Sequence, residues 1–288
     1  MLQQTYGNIE LIVVDDASSD STESYLRSVA SADPRLHYVS NPAPRGAPAS
    51  RNIAIRGAKG EFLTGLDDDD AFDRERIGAF VDYWRLLQSR NKSPACLYSQ
   101  DILVNDSGAH LWVSQKKSAV TANELFRGNY IGNQIFAPRS RFIEAGLFDE
   151  ELPAWQDLEL FIRVLGRFGE ARLLDMPTYY HSATLRADRI SAQEKNIRLA
   201  FEIVARKHAG GDARRERALF LQMFNDYYNI KPTLHDWLRL LKWGGRPKGL
   251  FRLLRFTVGI RQAAYLPAKA AAVSTPLENR LQSKHGNI

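Results

Sequence analysis

Hydrophobic and polar positions alternate between two periods over the first 94 residues. "IELIVVDDASSD" (9–20) is an apolar run that stops at Asp15 and Asp16. Such a run predicts a buried parallel strand whose carboxyl end meets a polar turn. "SDSTESYLRSVASAD" follows with Tyr25, Leu26 and Val29 on one face and Ser/Asp residues to cap it, which predicts a helix. "LHYVSN" predicts a second short strand, and "PAPRGAPASRNIAIRGAKG" a Pro/Gly-rich loop running into a helix. "EFLTGLDDDD" predicts a third strand, again ending in carboxylates. In "RERIGAFVDYWRLLQS" the residues Ile77, Phe80, Val81, Trp84 and Leu87 recur at helical spacing.

Strand and helix in strict alternation predict an α/β fold, an open and mostly parallel sheet with helices on both faces. Ligands of such sheets bind beyond the carboxyl ends of the strands. Both aspartate clusters fall at that edge.

After residue 94 the pattern changes. "ACLYSQDILVNDSGAHLWVSQ" predicts antiparallel strands around a turn at Asp106-Ser107-Gly108. "TANELFRGN" begins a helix, and "YIGNQIFAPRS" predicts a strand and turn. "WQDLELFIRVLGRFG" is amphipathic, with Leu158, Phe161, Ile162 and Leu165 on one face. "ARLLDMPTYYHSAT" predicts a last strand leading into a polar loop, and "SAQEKNIRLAFEIVARKH" another helix. There is no internal repeat, no Walker A loop and no G-x-G-x-x-G.

Composition and charge then narrow the reading. The chain has 288 residues, 44% hydrophobic and 25% charged, enough for one large domain or one domain with an extension. Cys96 stands alone, so there is no disulfide framework; its apolar setting predicts a structural thiol and fits a reducing compartment. No charge-free stretch approaches the roughly 20 residues of a spanning helix, and no basic-then-apolar leader opens the chain. The net charge is +6. Residues 201–288 carry 16 Lys or Arg against 6 Asp or Glu, and the preceding 200 carry 23 against 27. A mildly acidic body with a basic tail suggests two jobs, the tail facing nucleic acid or an anionic membrane surface.

The four carboxylates Asp67 to Asp70 repel one another unless something positive offsets them. Hard divalent cations take oxygen ligands, often one or two carboxylates plus substrate phosphates. An Asp-x-Asp at a strand end places its first and third side chains on one side. A solvated acidic turn is the alternative. The second aspartate pair, at a neighbouring strand end, favours a metal–phosphate site.

At this point the residues carry a resemblance. "QQTYGNIELIVVDDASSDST", "GAPASRNIAIRGAKGEFLTGLDDDD" and "RGNYIGNQIFAPRSRFIEAGLFDEELPAWQDLELFIRVL" resemble, in order and spacing, the motifs of family 2 glycosyltransferases of the GT-A fold, over about residues 2–190. The resemblance implies a Rossmann-like nucleotide-diphospho-sugar transferase fold. It implies a catalytic domain over 1–200, with a nucleotide half at 1–94 and an acceptor half at 95–200, followed by a basic helical extension over 201–288.

It also implies roles. Asp15 and Asp16 lie where the family contacts base and ribose, although one of them could serve only as a turn cap. Arg51, in "SRN", matches an arginine that reaches the nucleotide. Asp67 and Asp69 match the Asp-x-Asp that holds Mg²⁺ or Mn²⁺. Asp68, which replaces a frequent Ser, is grouped with the nucleotide-binding residues, and Asp70 is expected to cap the following turn. Asp157 matches the general base, and equally suits a helix start. Gln156 replaces the family's Glu beside the base and is grouped with Trp155 on the acceptor side. Trp155 suits a sugar-stacking wall or plain core packing. His181 lies where some relatives place a metal-ligating or loop-anchoring histidine, and 182–192 reads as a lid over the acceptor.

The implied function is inverting transfer from a nucleotide sugar, a UDP-sugar by preference, to a glycan or lipid-linked acceptor in surface polysaccharide biosynthesis. Nucleotidyl or phosphoryl transfer would want a phosphate-cradling Gly/Lys loop, which is absent. A non-enzymatic partner protein is the remaining alternative. It draws on Gln156 and on the start of the chain at "MLQQTY", where the family usually has a further strand and most of a helix. The expectation is unpaired edges and lower stability and activity than in an upstream-extended chain. In the tail, Leu234, Trp237, Leu238, Leu241 and Trp243 share a face beside Arg239 and Lys242. That pattern suits either a helical cap on the catalytic domain or a peripheral membrane contact through 234–265, at the cytoplasmic face of the membrane. Nucleic acid is disfavoured, since no recognised motif accompanies the charge.

Overall fold

The strand "LIVVD" forms as the apolar run predicts. β1 (Leu11–Asp15) pairs in parallel with β2 (Leu36–Ser40), with Leu11 opposite Leu36 and Asp15 opposite Ser40, and α1 (Thr22–Ala32) connects them. The computed structural model describes residues 1–105, 109–182 and 193–260. The Asp106–Gly108 turn and nearly all of the expected lid therefore lie outside the described residues.

α2 (Ala47–Gly57) leads to β3, which is only Phe62–Leu63 and pairs antiparallel with β8 (Ala137–Pro138). The strand expected to run into the carboxylates therefore stops early. Residues 64–70 leave this two-stranded sheet as a loop and enter the larger, five-stranded sheet at β4 (Ala71–Phe72), which pairs antiparallel with the end of β9. Gly65 makes this course possible: a Cβ there would fall 2.1 Å from Oε1 of Gln134, whose side chain crosses the loop.

α3 (Arg76–Ser89) buries the expected residues Ile77, Phe80, Val81, Trp84 and Leu87. β5 (Cys96–Val104) is the central strand of the larger sheet. It pairs in parallel with β9 (Ala171–Ser182) and antiparallel with β6 (His110–Val113). β7 (Ala119–Val120) adds to the outer side of β9. Between β7 and β9 come α4 (Ala122–Leu125), α5 (Arg139–Glu144) and α6 (Gln156–Phe168). Of the mostly parallel sheet expected, the β1–β2 and β5–β9 pairs are parallel and the remaining pairs are antiparallel, among them β5–β6, where antiparallel strands were expected. Among the described residues β1 pairs only with β2. Leu11 to Val14 are consequently half-buried and line a cleft.

α7 (Glu194–His208) runs through residue 200, so the boundary expected there falls inside a helix. α8 (Ala213–Gln222), α9 (Leu234–Lys242) and α10 (Pro247–Thr257) follow. One apolar cluster joins Tyr98 of β5, Phe161 of α6, Phe201 of α7, Phe220 of α8, Leu240 of α9 and Leu253 of α10. The tail helices are therefore built onto the same core as the sheet rather than forming a separate body. A second cluster stacks Phe136 between Phe62 (4.8 Å) and Phe80 (5.0 Å). It fixes the start of the carboxylate loop.

Candidate active site

The carboxylates Asp15, Asp16, Asp67, Asp69 and Asp157 line a single cleft of about 3360 Å³ together with Arg51. Three separate stretches deliver them: the end of β1, the loop after β3, and the first turn of α6.

The two β1 aspartates have different local tasks. Asp15 is buried and its Oδ1 accepts the N–H of Ser18 at 3.2 Å. Asp16 accepts the backbone N–H groups of Arg45 (2.9 Å) and Gly46 (2.7 Å) and Nδ2 of Asn41 (2.8 Å). Asp16 thus pins the Pro/Gly-rich loop against the strand end. The same hydrogen bonds hold its carboxyl below the usual range against the opposing cost of its partial burial.

Arg51 projects from α2 between the other two stretches. Its Nη2 meets Oδ1 of Asp67 at 2.6 Å, and its Nη1 meets Oδ1 of Asp157 at 3.3 Å. The same Nη1 approaches Oε1 of Gln156 at 3.5 Å. Gln134 Nε2 donates to Asp67 Oδ1 at 3.2 Å. Burial pushes Asp157 up to about 6, with Arg51 pulling it down and the charge of Asp67 pushing it up. A carboxylate titrating near 6 is poised to accept a proton near neutrality.

Asp157 is placed by an uncommon backbone. Trp155, the residue before α6, has φ +60°, the left-handed region that bulky side chains rarely adopt. The ring is buried in the core, and its Nε1 donates to the Tyr228 hydroxyl at 2.9 Å. That anchoring holds the strained turn and points the start of α6 at the cleft. Of the two readings for Trp155, core packing fits the ring, while its edge still lines the cleft. Gln156 Nε2 donates to the Leu152 carbonyl at 3.1 Å.

The four-aspartate run is not a set of equivalent charges. Asp68 is exposed, and Asp67 is engaged as described. Asp70 does more than cap a turn. It is buried, and its Oδ2 accepts the Tyr179 hydroxyl at 2.7 Å and faces His181 Nδ1 at 3.3 Å. His181 Nε2 lies 3.5 Å from Asp101, whose other partner is Lys116 Nζ at 2.7 Å. Despite the cost of burial, the two carboxylates raise His181 to about 9. Held between Asp70 and Asp101, His181 ties the carboxylate loop to β5, which suits the loop-anchoring reading. Gln134, Tyr179, Asp101 and Lys116 were not expected from the sequence. Only Gln134 lies in a stretch that could have flagged it, "GNYIGNQIF".

Among the described residues no three His, Cys, Asp or Glu side chains gather as a complete metal set. The oxygen donors Asp67 and Asp69 nevertheless suit a hard cation that takes its remaining ligands from phosphates and water. The donor chemistry therefore fits Mg²⁺ or Mn²⁺ shared with a substrate.

The chain is also similar in sequence and fold to known proteins. The family model described as glycosyl transferase family 2 matches residues 1–142. The putative colanic acid biosynthesis glycosyl transferase WcaA of Escherichia coli K12 is 33% identical over 245 residues, 84% of each chain. WfgD of E. coli, named a UDP-Glc:alpha-D-GlcNAc-diphosphoundecaprenol beta-1,3-glucosyltransferase, is 30% identical over 132 residues. That match spans 46% of this chain and 49% of WfgD. Among solved structures, Staphylococcus aureus TarS 1-349 in complex with UDP-GlcNAc superimposes with a TM-score of 0.60 at 18% identity. It covers 88% of this chain and 75% of its own, and it supports the GT-A fold. The chain belongs to glycosyl transferase family 2 and is a glycosyltransferase.

Proposed function

We propose that this enzyme transfers a sugar, with inversion, from a nucleoside diphosphate sugar to a lipid-linked saccharide during bacterial surface polysaccharide assembly. The observation that carries the reading is Arg51 holding Asp67 and Asp157 across one cleft. A donor diphosphate and an attacking acceptor hydroxyl need those two groups on opposite sides of one anomeric carbon.

In this reading Asp157 takes the proton from the acceptor hydroxyl as its oxygen bonds to the anomeric carbon, while the bond to the nucleoside diphosphate breaks. A single displacement needs no covalent enzyme intermediate. Arg51 orients the base and offers its fork to the nucleotide. Asp15 stands at the nucleotide end, with Asp16 fixing the loop beside it and Asp68 on the exposed side. Asp67 and Asp69 would hold a divalent cation, which supplies charge neutralisation for the departing diphosphate. UDP is the preferred nucleotide, in keeping with the UDP-sugars named for WfgD and TarS. Polysaccharide assembly follows the names of WcaA and WfgD.

We place the peripheral membrane contact at 234–265, of which 261–265 lie outside the described residues, at the cytoplasmic membrane surface. Trp237, Leu240 and Trp243 pack against the core. Leu234 (76%), Leu238 and Leu241 of α9 and Phe251 (69%), Leu254 and Val258 of α10 are exposed. Lys242, Arg246 and Lys248 lie exposed beside them. Exposed leucines with flanking cations suit an anionic interface. Among the described residues no helix is long and apolar enough to cross a membrane. The face expected from the sequence is thus divided, its tryptophans inward and its leucines outward.

The test is nucleoside diphosphate release with a panel of nucleotide sugars and E. coli lipid-linked oligosaccharide fractions. Release that requires both a donor and a lipid-linked acceptor supports the reading. Release with none of the donors, under conditions where the protein is folded, overturns it.

A further inference from the structure

The cleft that holds Asp157 does not end at the sheet. The segment after α8 and helix α10 also line it, bringing Tyr227, Tyr228, Arg252 and Arg255 to the same cavity. Tyr228 is tied to the base-bearing turn through its hydrogen bond with Trp155.

The two arginines are held differently. Arg255 Nη2 is paired with Oδ2 of Asp226 at 3.0 Å. Arg252 donates its Nε to the Phe224 carbonyl at 2.6 Å. Among the described residues its two terminal nitrogens have no protein partner within hydrogen-bond distance. Burial and the neighbouring Arg255 both disfavour its charge, and Asp226 and the Tyr130 hydroxyl only partly offset them. Lys117, another cation lining the cleft, lies 4.1 Å from the Tyr130 ring centre and is already paired with Glu124. Arg252 is therefore a half-buried guanidinium with its fork free, facing a cavity, with its stem fixed by a backbone carbonyl.

Positions 252 and 255 share the cleft side of α10, with the exposed Phe251 at the cleft's rim, while Leu254 and, just after the helix, Val258 are exposed outside the cleft. One helix thus presents an anion-binding fork inward and an apolar surface outward. An acceptor with a saccharide, an anionic linker and a hydrocarbon tail has the same order of parts. We propose that Arg252, backed by Arg255, binds the diphosphate linker of the acceptor, a subsite distinct from the donor diphosphate position at Asp67 and Asp69. The planar fork suits two phosphate oxygens at once. This inference rests on the lipid-linked acceptor proposed above.

The probe is geranyl diphosphate, titrated calorimetrically into the full chain with EDTA present so that no divalent cation bridges it to the Asp cluster. Wild type should bind geranyl diphosphate and should not bind geraniol. Arg252→Gln should weaken the diphosphate at least tenfold. Arg255→Gln, read in the same way, serves if Arg252→Gln does not fold. Arg246→Gln, on the exposed surface outside the cleft, should stay within twofold of wild type. An Arg252→Gln affinity within twofold of wild type overturns the subsite. So does an equal loss in Arg246→Gln, which would mean general attraction to surface charge as at a lipid headgroup. A parallel titration of wild type with UDP and Mn²⁺ separates the two ideas. If UDP binds and Arg252→Gln has no effect, the subsite fails alone. If UDP does not bind but the arginine dependence holds, the donor reading fails and the anion subsite stands.

Discussion

Arg51 bridges Asp67 and Asp157, with its two terminal nitrogens 2.6 Å and 3.3 Å from their carboxylates. One guanidinium therefore links the carboxylate loop after β3 to the first turn of α6. Because Arg51 lowers Asp157, Arg51→Gln should raise the Asp157 pKa above about 6. The acidic limb of kcat/KM should move to higher pH, and UDP affinity in Mn²⁺ should fall. A limb that stays in place would mean that the two groups are not coupled in the working enzyme.

Asp157 must be ionised to accept a proton. Activity should therefore be present above about pH 6 and fall as the pH drops through that value. Asp157→Asn keeps the shape of the helix start and removes the proton acceptor, so kcat should drop by about 10² to 10⁴ with UDP binding retained. A variant retaining near wild-type kcat would remove Asp157 from the base role.

Asp69→Ala should abolish the Mn²⁺-dependent part of UDP binding measured by calorimetry. Asp68→Ala, at the exposed position, should change it by less than about threefold, which is about 0.6 kcal/mol. Equal effects at the two positions would mean that the cluster acts only through its total charge.

The His181 contacts have a stability consequence whose sign is fixed. The folded state holds His181 at about 9, above its usual 6.5, through Asp101 and Asp70. The stabilisation is therefore complete below pH 6.5 and is lost as the pH rises towards and through 9. Urea midpoints for wild type should fall across that window, and His181→Gln should flatten the slope. An unchanged slope would place the pH dependence elsewhere.

Leu238→Glu combined with Leu254→Glu should release the protein from sedimenting vesicles that contain phosphatidylglycerol, because both leucines are exposed on the outer faces of α9 and α10. Added salt should weaken binding only in part, since it screens charge and leaves apolar burial intact. Undiminished sedimentation of the double variant would argue against this surface as the membrane contact.

Local pattern was enough for the elements that bury one continuous face. The apolar run of β1, the helical spacing of α3 and the amphipathic α6 each state their own period, and all three form, α3 and α6 with the expected buried residues and β1 only half-buried over Leu11 to Val14. The Asp15–Asp16 pair and Asp157 were legible because they sit where a strand ends and a helix begins, and Asp67–Asp70 as a run of like charges, although that run lies in the loop between β3 and β4. β3 was overestimated because "EFLTGL" has strand composition, whereas pairing over only Phe62–Leu63 and the crossing of Gln134 at Gly65 decide where it stops.

The sequence by itself determined the α/β alternation, the aspartates at the end of β1, the run of four aspartates, the basic tail and the family motifs, because these depend on residues near one another along the chain. Only the tertiary structure decided which carboxylate does what. Asp16 closes a loop, Asp70 is buried against Tyr179 and His181, and Asp67 shares Arg51 with Asp157. It also decided that Tyr228 and Arg252, more than 70 residues beyond the base, line the same cleft. Hydrogen bonds and ion pairs between such distant positions leave no period in the sequence. They arise only when the core brings α6, α8 and α10 together.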